Sequence, residues 1–174
     1  MTETLPTREE CIDILKKSGC NKKVVRHCKA VEDLALRIAE LANGDKKLIS
    51  VAAMLHDIGR ANTHGIKHAV EGAEMARELG LPETVILIIE RHIGAGITKD
   101  EAKKLGLPVK DYAPITLEEK IVSHADNLIE ETKKRPVREV VQRFEELGYR
   151  NVGEKILRLH KELSEICGID LDLI

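Results

Sequence analysis

The amino-acid sequence predicts an all-α fold, a single helical bundle of about eight or nine helices. Three observations lead to this prediction. Apolar residues recur at steps of three and four along most of the 174 residues, which is the helical period. Capping residues and glycines divide these stretches into segments of helical length. No alternation of apolar and polar residues of the kind that marks a strand persists for more than a few positions.

Start and stop signals define the individual helices. Ser, Thr, Asn and Asp side chains accept hydrogen bonds from the first free N–H groups of a helix, proline suits its first turn, and glycine suits its C-terminus. By these signals the N-terminal half contains five helices, which run from Thr7 to near Gly19, from Asn21 to about Ala42, from Asp45 to His56-Asp57, from about Lys67 to Gly80, and from Pro82 to Gly94. The C-terminal half contains four more, from Thr98 to Gly106, from Thr116 through Asp126, from Pro136 to Gly148, and from Asn151 to near Gly168.

Composition limits the classes of function. The net charge of -2 gives no polycationic signature, and two tyrosines, one phenylalanine and no tryptophan provide no array of stacking rings, so we expect no dedicated nucleic-acid binding. No apolar run is long enough for a membrane span, and the start of the chain has no apolar signal segment. The four cysteines lack a paired spacing and are expected to be free thiols. These features predict a cytoplasmic protein without membrane contact.

Polar side chains interrupt the apolar faces of four predicted helices. His56-Asp57 ends the apolar run 48–55, and His27, His92 and Asp126 follow the inward stripes of their helices. A buried imidazole or carboxylate without a partner is costly, and a bound metal cation satisfies both groups. The alternatives are a helix-terminal His and Asp that face water, or single histidines that form hydrogen bonds in the core. A charged Asp126 among Ile and Val favours the metal.

The ordered set of His27, His56-Asp57 and Asp126 resembles the metal-binding signature of the HD-domain phosphohydrolase superfamily. Ile58-Gly59 after the dipeptide is similar to its HDIG-type branch, and the layout is particularly similar to the bacterial diadenosine tetraphosphate hydrolases of that superfamily. The resemblance covers approximately residues 22–130. It implies one domain over residues 1–174, with an HD-like core at about 22–130, an N-terminal helix and two C-terminal helices.

The resemblance also implies the ligand set. His27, His56, Asp57 and Asp126 would hold one divalent metal, and His68 and His92 would add a second that Asp57 bridges. His64 is an alternative to His68. Fe, Mn, Ni, Co, Zn and Mg are all compatible with such ligands, and the number of ions, one or two, stays open. The chain lacks the paired histidine and the Gly-Tyr-Pro element of the cyclic-dinucleotide phosphodiesterases, which disfavours that activity.

The expected activity is hydrolysis of a phosphate ester or anhydride of a nucleotide or related small molecule by a metal-activated water. Asp57 is a further candidate for accepting the proton of that water. Candidate phosphate contacts are Arg60, Lys67, Arg91 and Lys120, and Tyr112 is a candidate for stacking a nucleobase. The alternatives are a di-iron oxygenase of the same superfamily and a non-catalytic nucleotide-sensing domain. His124 is expected to be structural or exposed, and His160 to lie at the surface. The sequence indicates no oligomeric state.

Overall fold

The computed structural model describes residues 4–174, and α-helices form most of this part of the chain. The predicted all-α bundle is confirmed, with nine α-helices among the described residues. They are Arg8–Lys17 (α1), Lys22–Ala42 (α2), Lys46–Leu55 (α3), His68–Glu78 (α4), Glu83–Glu90 (α5), Lys99–Leu105 (α6), Leu117–Leu128 (α7), Val137–Glu146 (α8) and Arg150–Cys167 (α9). Short 3-10 helices cover Ile58–Ala61 and Leu171–Leu173.

Most helix ends follow the predicted capping chemistry. Thr7 and Thr98 each form a capping box with the glutamate three residues later, and the Asn21 and Asp45 side chains accept from the first backbone N–H groups of α2 and α3. The Asn151 prediction is wrong, because α9 already begins at Arg150 and Tyr149 occupies the N-cap position. The Asn151 side chain instead donates to Glu101 Oε1 at 3.0 Å, which ties the start of α9 to α6.

Helix α2 lies at the centre and packs against α3, α7 and α9. Helices α4 and α5 pack on one another, α5 also contacts α3, and α8 and α9 pack together at the C-terminal side. Large aliphatic side chains fill the space between these helices, among them Leu15, Ile38, Ile49, Met54, Leu55, Ile88, Ile89, Ile121, Leu128 and Ile156. Each such side chain contributes about 1.5–3 kcal/mol on full burial. This core holds the helix ends that carry the polar cluster described below.

A small hairpin after α7 was not predicted. Ile129–Glu130 (β1) pairs antiparallel with Lys133–Lys134 (β2) through the two-residue loop Glu131-Thr132. Glu131 has φ +55°, a left-handed conformation that costs a non-glycine residue about 1–2 kcal/mol. None of the helices in residues 4–174 has the length and apolar character needed to cross a membrane.

Candidate metal centre

Six predicted ligand side chains meet at one point where five different segments converge. His27 comes from α2, His56 and Asp57 from the end of α3, and Asp126 from the last turns of α7. The remaining two are the first residue of α4 and the residue after α5, which are His68 and His92. His56, Asp57, His68 and His92 are buried, whereas His27 and Asp126 keep 19% and 22% of their side chains exposed. The cluster is therefore open to solvent on the His27 side.

All four histidines of the cluster use the same ring nitrogen for support. Each Nδ1 lies within hydrogen-bond distance of a backbone carbonyl oxygen, at 2.9 Å for His27 and Glu131 O, 2.7 Å for His56 and Ala53 O, 2.8 Å for His68 and Gly65 O, and 2.6 Å for His92 and Ile89 O. A carbonyl oxygen only accepts, so each Nδ1 carries the proton and donates it. With Nδ1 held in this way, each ring turns its Nε2 toward the cluster, which is the arrangement of metal-binding histidines.

The Asp57 carboxylate lies between two pairs of imidazoles. Its Oδ1 is 3.1 Å from His68 Nε2 and 3.6 Å from His92 Nε2, while its Oδ2 is 3.7 Å from His56 Nε2 and 3.9 Å from His27 Nε2. Asp126 Oδ1 completes the second group, at 2.9 Å from His27 Nε2 and 3.4 Å from His56 Nε2. Two ligands that bind one ion at ~2.1 Å lie ~3.0–3.4 Å apart. Three of the six separations, 2.9, 3.1 and 3.4 Å, lie in or next to that range, and the other three, 3.6, 3.7 and 3.9 Å, are longer.

Two buried ligand atoms of the cluster have no hydrogen-bond partner among the described residues, His56 Nε2 and Asp57 Oδ1. An unsatisfied buried acceptor is costly, and a cation removes that cost. Nitrogen and carboxylate oxygen together suit the divalent transition metals, so the donor set fits the metal that the sequence predicts. Three overlapping groups in the cluster could hold an ion, and Asp57 belongs to two of them: His27, His56 and Asp57; Asp57, His68 and His92; and His56, His92 and Asp126.

The electrostatics of the cluster favour cations over a neutral interior. Burial alone raises the pKa of Asp57, but the neighbouring His56, His68 and His92 hold it well below its ordinary value, so the carboxylate is ionised. Burial lowers the pKa of His56, yet the carboxylates of Asp57 and Asp126 and the Cys28 thiol outweigh burial and raise it well above its ordinary value. Protons and metal ions compete for the same Nε2 atom.

Two glycines allow the turn after Asp57 to touch α4. A Cβ on Gly59 would overlap the carbonyl oxygen of His68 and lie 2.6 Å from Gly72 N. A Cβ on Gly72 would lie 3.1 Å from Gly59 N. The backbone of the Asp57 turn thus packs directly on the first turns of α4, and this close approach sets the position of His68 next to Asp57.

Two side chains of α7 fix the loop that follows His92. Ser123 Oγ and Asn127 Nδ2 both donate to the carbonyl oxygen of Gly94, at 2.6 and 2.8 Å. Ser123 and Asn127 flank Asp126 on the same helix. The two hydrogen bonds therefore hold the His92 segment and Asp126 in a fixed relative position.

A cavity of about 430 Å³ opens beside the cluster, within the usual size range of small-molecule sites. Asp57 and His27 line it together with Arg60, which donates from Nε to Asp57 Oδ2 at 2.7 Å. His64 is exposed on the same wall, whereas His68 lies in the cluster, so the geometry favours His68 as the ligand. The other lining residues are Asn21, Lys23, Val24, Arg26, Glu131 and Thr132.

Four of the predicted substrate contacts lie away from this cavity. Lys120 Nζ binds Glu162 at 2.6 Å and lines a different cavity of about 290 Å³, while Arg91 forms two bonds to the buried carboxylate of Glu119. Lys67 is exposed at the start of α4 and is not among the residues that line the larger cavity.

Tyr112 is buried, with 2% of its surface exposed, and its hydroxyl donates to Pro108 O. Its ring packs in a small apolar cluster with Ile97, Ala102 and Leu107, so the prediction that it stacks a nucleobase is wrong.

The two remaining histidines of interest form a separate buried pair. His124 and His160 share a hydrogen bond of 2.9 Å, and His160 Nε2 donates to Asp170 Oδ1. The prediction that His160 lies at the surface is wrong, because only 4% of it is exposed. His124 is fully buried, in agreement with a structural role.

Three charged residues of the cavity, Lys23, Arg26 and Glu131, were not predicted from the sequence. Lys23 lies four residues before His27 on the same helix, and Arg26 lies directly before His27. The four-residue spacing could have indicated that Lys23 shares a helix face with His27. Glu131 contributes through its backbone carbonyl to His27, which no side-chain pattern reveals.

Comparison with known proteins places this geometry in a family. The family model described as HD domain matches residues 24–131. The chain is 42% identical over 172 residues to the tRNA (cytidine(56)-2'-O)-methyltransferase of Picrophilus torridus, a match that covers 99% of this chain and 50% of that protein. It is 49% identical over 165 residues to an uncharacterized protein of Methanocaldococcus jannaschii, covering 91% of this chain and 97% of that one.

A solved structure shares the fold. The HD domain of the L. monocytogenes phosphodiesterase PgpH, in complex with cyclic-di-AMP, aligns with a TM-score of 0.61 and 15% identity over 94% of each chain. The chain spans about half the length of the methyltransferase it matches, so the name of that longer protein does not transfer to this chain. Since the family model covers more than half of the chain and contains the His27, His56-Asp57 and Asp126 positions, the protein belongs to the HD domain family.

Proposed function

We propose that this chain is a metal-dependent phosphohydrolase that cleaves a phosphate ester or anhydride of a nucleotide or related molecule. The observation that carries the proposal is the position of the Asp57 carboxylate. Its Oδ1 faces the Nε2 atoms of His68 and His92, and its Oδ2 faces those of His56 and His27, an arrangement suited to two divalent ions. The proposed metal ligands are His27, His56, Asp57, His68, His92 and Asp126. Two such ions supply an acidified water at neutral pH and positive charge opposite the phosphate oxygens.

The protein groups around the cluster support this chemistry. The Nδ1 donors hold the four imidazole rings in place, and the buried Asp57 is ionised and available to both ion positions. Arg60 lies between Asp57 and the cavity with 30% of its side chain exposed, and it also donates to His64 O. A guanidinium in this position orients the carboxylate and presents charge to a phosphate oxygen.

The methyltransferase relatives bear on the substrate. This chain matches about half of such a protein. A His and carboxylate cluster suits activation of water at a metal and has no evident role in transfer of a methyl group to a ribose oxygen. We therefore assign methyl transfer to the half of those relatives that this chain does not match, and we propose a substrate of the nucleotide class for the half that it does.

The test combines metal analysis with a panel of phosphate esters. Purified protein is assayed for bound metals by elemental analysis and for release of phosphate from p-nitrophenyl phosphate, mononucleotides, dinucleoside polyphosphates and oligoribonucleotides. We expect His56→Ala and Asp57→Ala to lose both metal and turnover. His64→Ala is the matched control, since His64 lies on the cavity wall outside the cluster, and it should keep its metal. Turnover that survives in Asp57→Ala would overturn the proposal.

A further inference from the structure

We infer that Lys23, Arg26 and Arg60 form a second phosphate subsite beside the metal cluster, and that the substrate carries at least two phosphate groups. The inference rests on the proposed function, because it takes the His and Asp cluster as the place of the phosphate that is cleaved. It adds a binding subsite and a substrate class that the cluster alone does not specify.

The placement of the three cations follows from helix geometry. Lys23 lies one turn before His27 on α2, a rise of about 6 Å, and both side chains line the same cavity. Arg26 lines it from the adjacent position, and Arg60 faces it from the turn after Asp57. The cavity thus begins at the ligands Asp57 and His27 and continues along a wall of positive side chains.

Lys23 and Arg26 are exposed side chains that no carboxylate of the described residues holds, unlike Lys120, Lys155 and Arg91. Lys120, Lys155 and Arg91 are each within hydrogen-bond distance of a carboxylate. Within residues 4–174, neither Lys23 nor Arg26 has a carboxylate oxygen within 4.0 Å. Their charges are therefore available to a ligand in the cavity.

The first turn of α2 is an unfavourable place for these charges without an anion. It contains Lys22 and Lys23 and no acidic residue, although the positive end of the helix dipole disfavours cations there. A bound phosphate reverses that effect, since it interacts favourably with both the dipole and the lysine. The backbone N–H groups of Lys23 and Val24 are already bound by Asn21 Oδ1, so side chains and dipole, rather than new backbone hydrogen bonds, bind the anion.

A second observation joins the cavity to the metal cluster. Asp57, whose side chain is only 3% exposed, lines the cavity, and its Oδ1, which has no hydrogen-bond partner among the described residues, faces His68 and His92, where a cation would satisfy it. The cavity has the cation-binding cluster at one end and the positive side chains of Lys23 and Arg26 at the other. This arrangement suits an anion with one phosphate at the bound ions and the next phosphate at Lys23 and Arg26. A nucleoside polyphosphate and an RNA strand share this chemistry.

The experiment compares inhibitors that carry one phosphate with inhibitors that carry several. Hydrolysis of p-nitrophenyl phosphate is inhibited with inorganic phosphate, inorganic tripolyphosphate and a short oligoribonucleotide with a 3'-phosphate, and tripolyphosphate binding is measured in parallel by calorimetry. We expect the tighter-binding of the two multiply charged probes to bind at least about tenfold more tightly than phosphate. In the Lys23→Ala/Arg26→Ala variant, the affinity for that probe should fall about tenfold, while the affinity for phosphate changes little. Stronger binding of tripolyphosphate identifies a free polyphosphate, and stronger binding of the oligoribonucleotide identifies a strand.

Two further variants make the result specific. Lys22→Ala removes a charge from the same helical turn outside the cavity lining and should change the binding constants far less than Lys23→Ala/Arg26→Ala. Glu131→Gln removes a negative charge from the cavity wall and should tighten binding of the multiply charged probe. The proposed subsite would be overturned if all three probes inhibited equally. It would also be overturned if Lys22→Ala weakened binding of the multiply charged probe as much as Lys23→Ala/Arg26→Ala. Because p-nitrophenyl phosphate turnover is measured in the same assay, that result is distinct from a failure of the proposed function, in which no ester is hydrolysed.

Discussion

The Nε2 atoms of His68 and His92 lie 3.0 Å apart, although both rings carry their proton on Nδ1. Burial lowers the pKa of His92, so a second proton on that ring is disfavoured. A cation placed beside both nitrogens would be bound by each of them. Asp57 Oδ1 faces the same point, at 3.1 and 3.6 Å from the two nitrogens. The pair is therefore best explained as one half of a metal site.

His68→Ala should remove one of two bound ions and keep the other. The remaining group of His27, His56, Asp57 and Asp126 still offers four ligands, whereas Asp57 with His92 alone offers only two. The metal-to-protein ratio measured by elemental analysis should fall by about half, and phosphatase activity should fall by at least about tenfold because metal ligands act together. An unchanged metal ratio in His68→Ala would contradict the two-ion arrangement.

The Glu131 conformation provides a second prediction. This residue has φ +55° and holds His27 through its carbonyl oxygen. Glu131→Gly removes the steric cost of the left-handed conformation, which is about 1–2 kcal/mol, while the greater freedom of unfolded glycine offsets about 0.5–1 kcal/mol. We expect a small rise in Tm for Glu131→Gly and a fall for Glu131→Val, whose branched side chain fits this conformation poorly. Metal affinity should fall only in Glu131→Val, and equal Tm values for the two variants would contradict the interpretation.

The sequence predicted the helices and the inward polar positions because both depend on local spacing. His27 and Asp126 follow the apolar stripes of their own helices, and those stripes are what the fold buries. The roles of Lys120 and His160 depend instead on partners far along the chain. Lys120 binds Glu162, which is 42 residues away in the sequence. His160 has charged neighbours in the sequence, but in the structure His160 contacts the buried His124. Tertiary packing decides such cases, and the sequence pattern around one residue does not report it.

The buried His124 gives a prediction about pH. Burial, with the nearby His160 and Lys134, lowers the pKa of His124 from 6.5 to about 3. Between these values the unfolded chain binds a proton that the folded chain does not, so stability decreases as pH falls below 6.5. Each pH unit costs about 1 kcal/mol for this one group.

The neutral His124→Gln variant tests this origin. The difference in unfolding free energy between wild type and His124→Gln, measured by denaturant titration at pH 7, 6 and 5, should shrink toward acid or change sign. The histidines of the cluster around Asp57 are present in both proteins, so their contribution cancels in the difference. A difference that is independent of pH would show that His124 does not protonate on unfolding.

Gly59 makes the most specific structural demand near the site. An added Cβ there overlaps the His68 carbonyl oxygen, a backbone atom that moves only if α4 moves. Gly59→Ala should therefore cost about 1–3 kcal/mol of stability, the usual range for overpacking. It should also separate His68 from Asp57 and lower the metal ratio in the same way as His68→Ala. Gly65→Ala is the matched control, because the nearest atom to its added Cβ is Thr63 Oγ1 at 3.9 Å. If Gly59→Ala retains the full metal ratio while losing stability, the glycine serves packing alone. If Gly65→Ala loses metal equally, the loop before α4, and not the contact at Gly59, sets the position of His68.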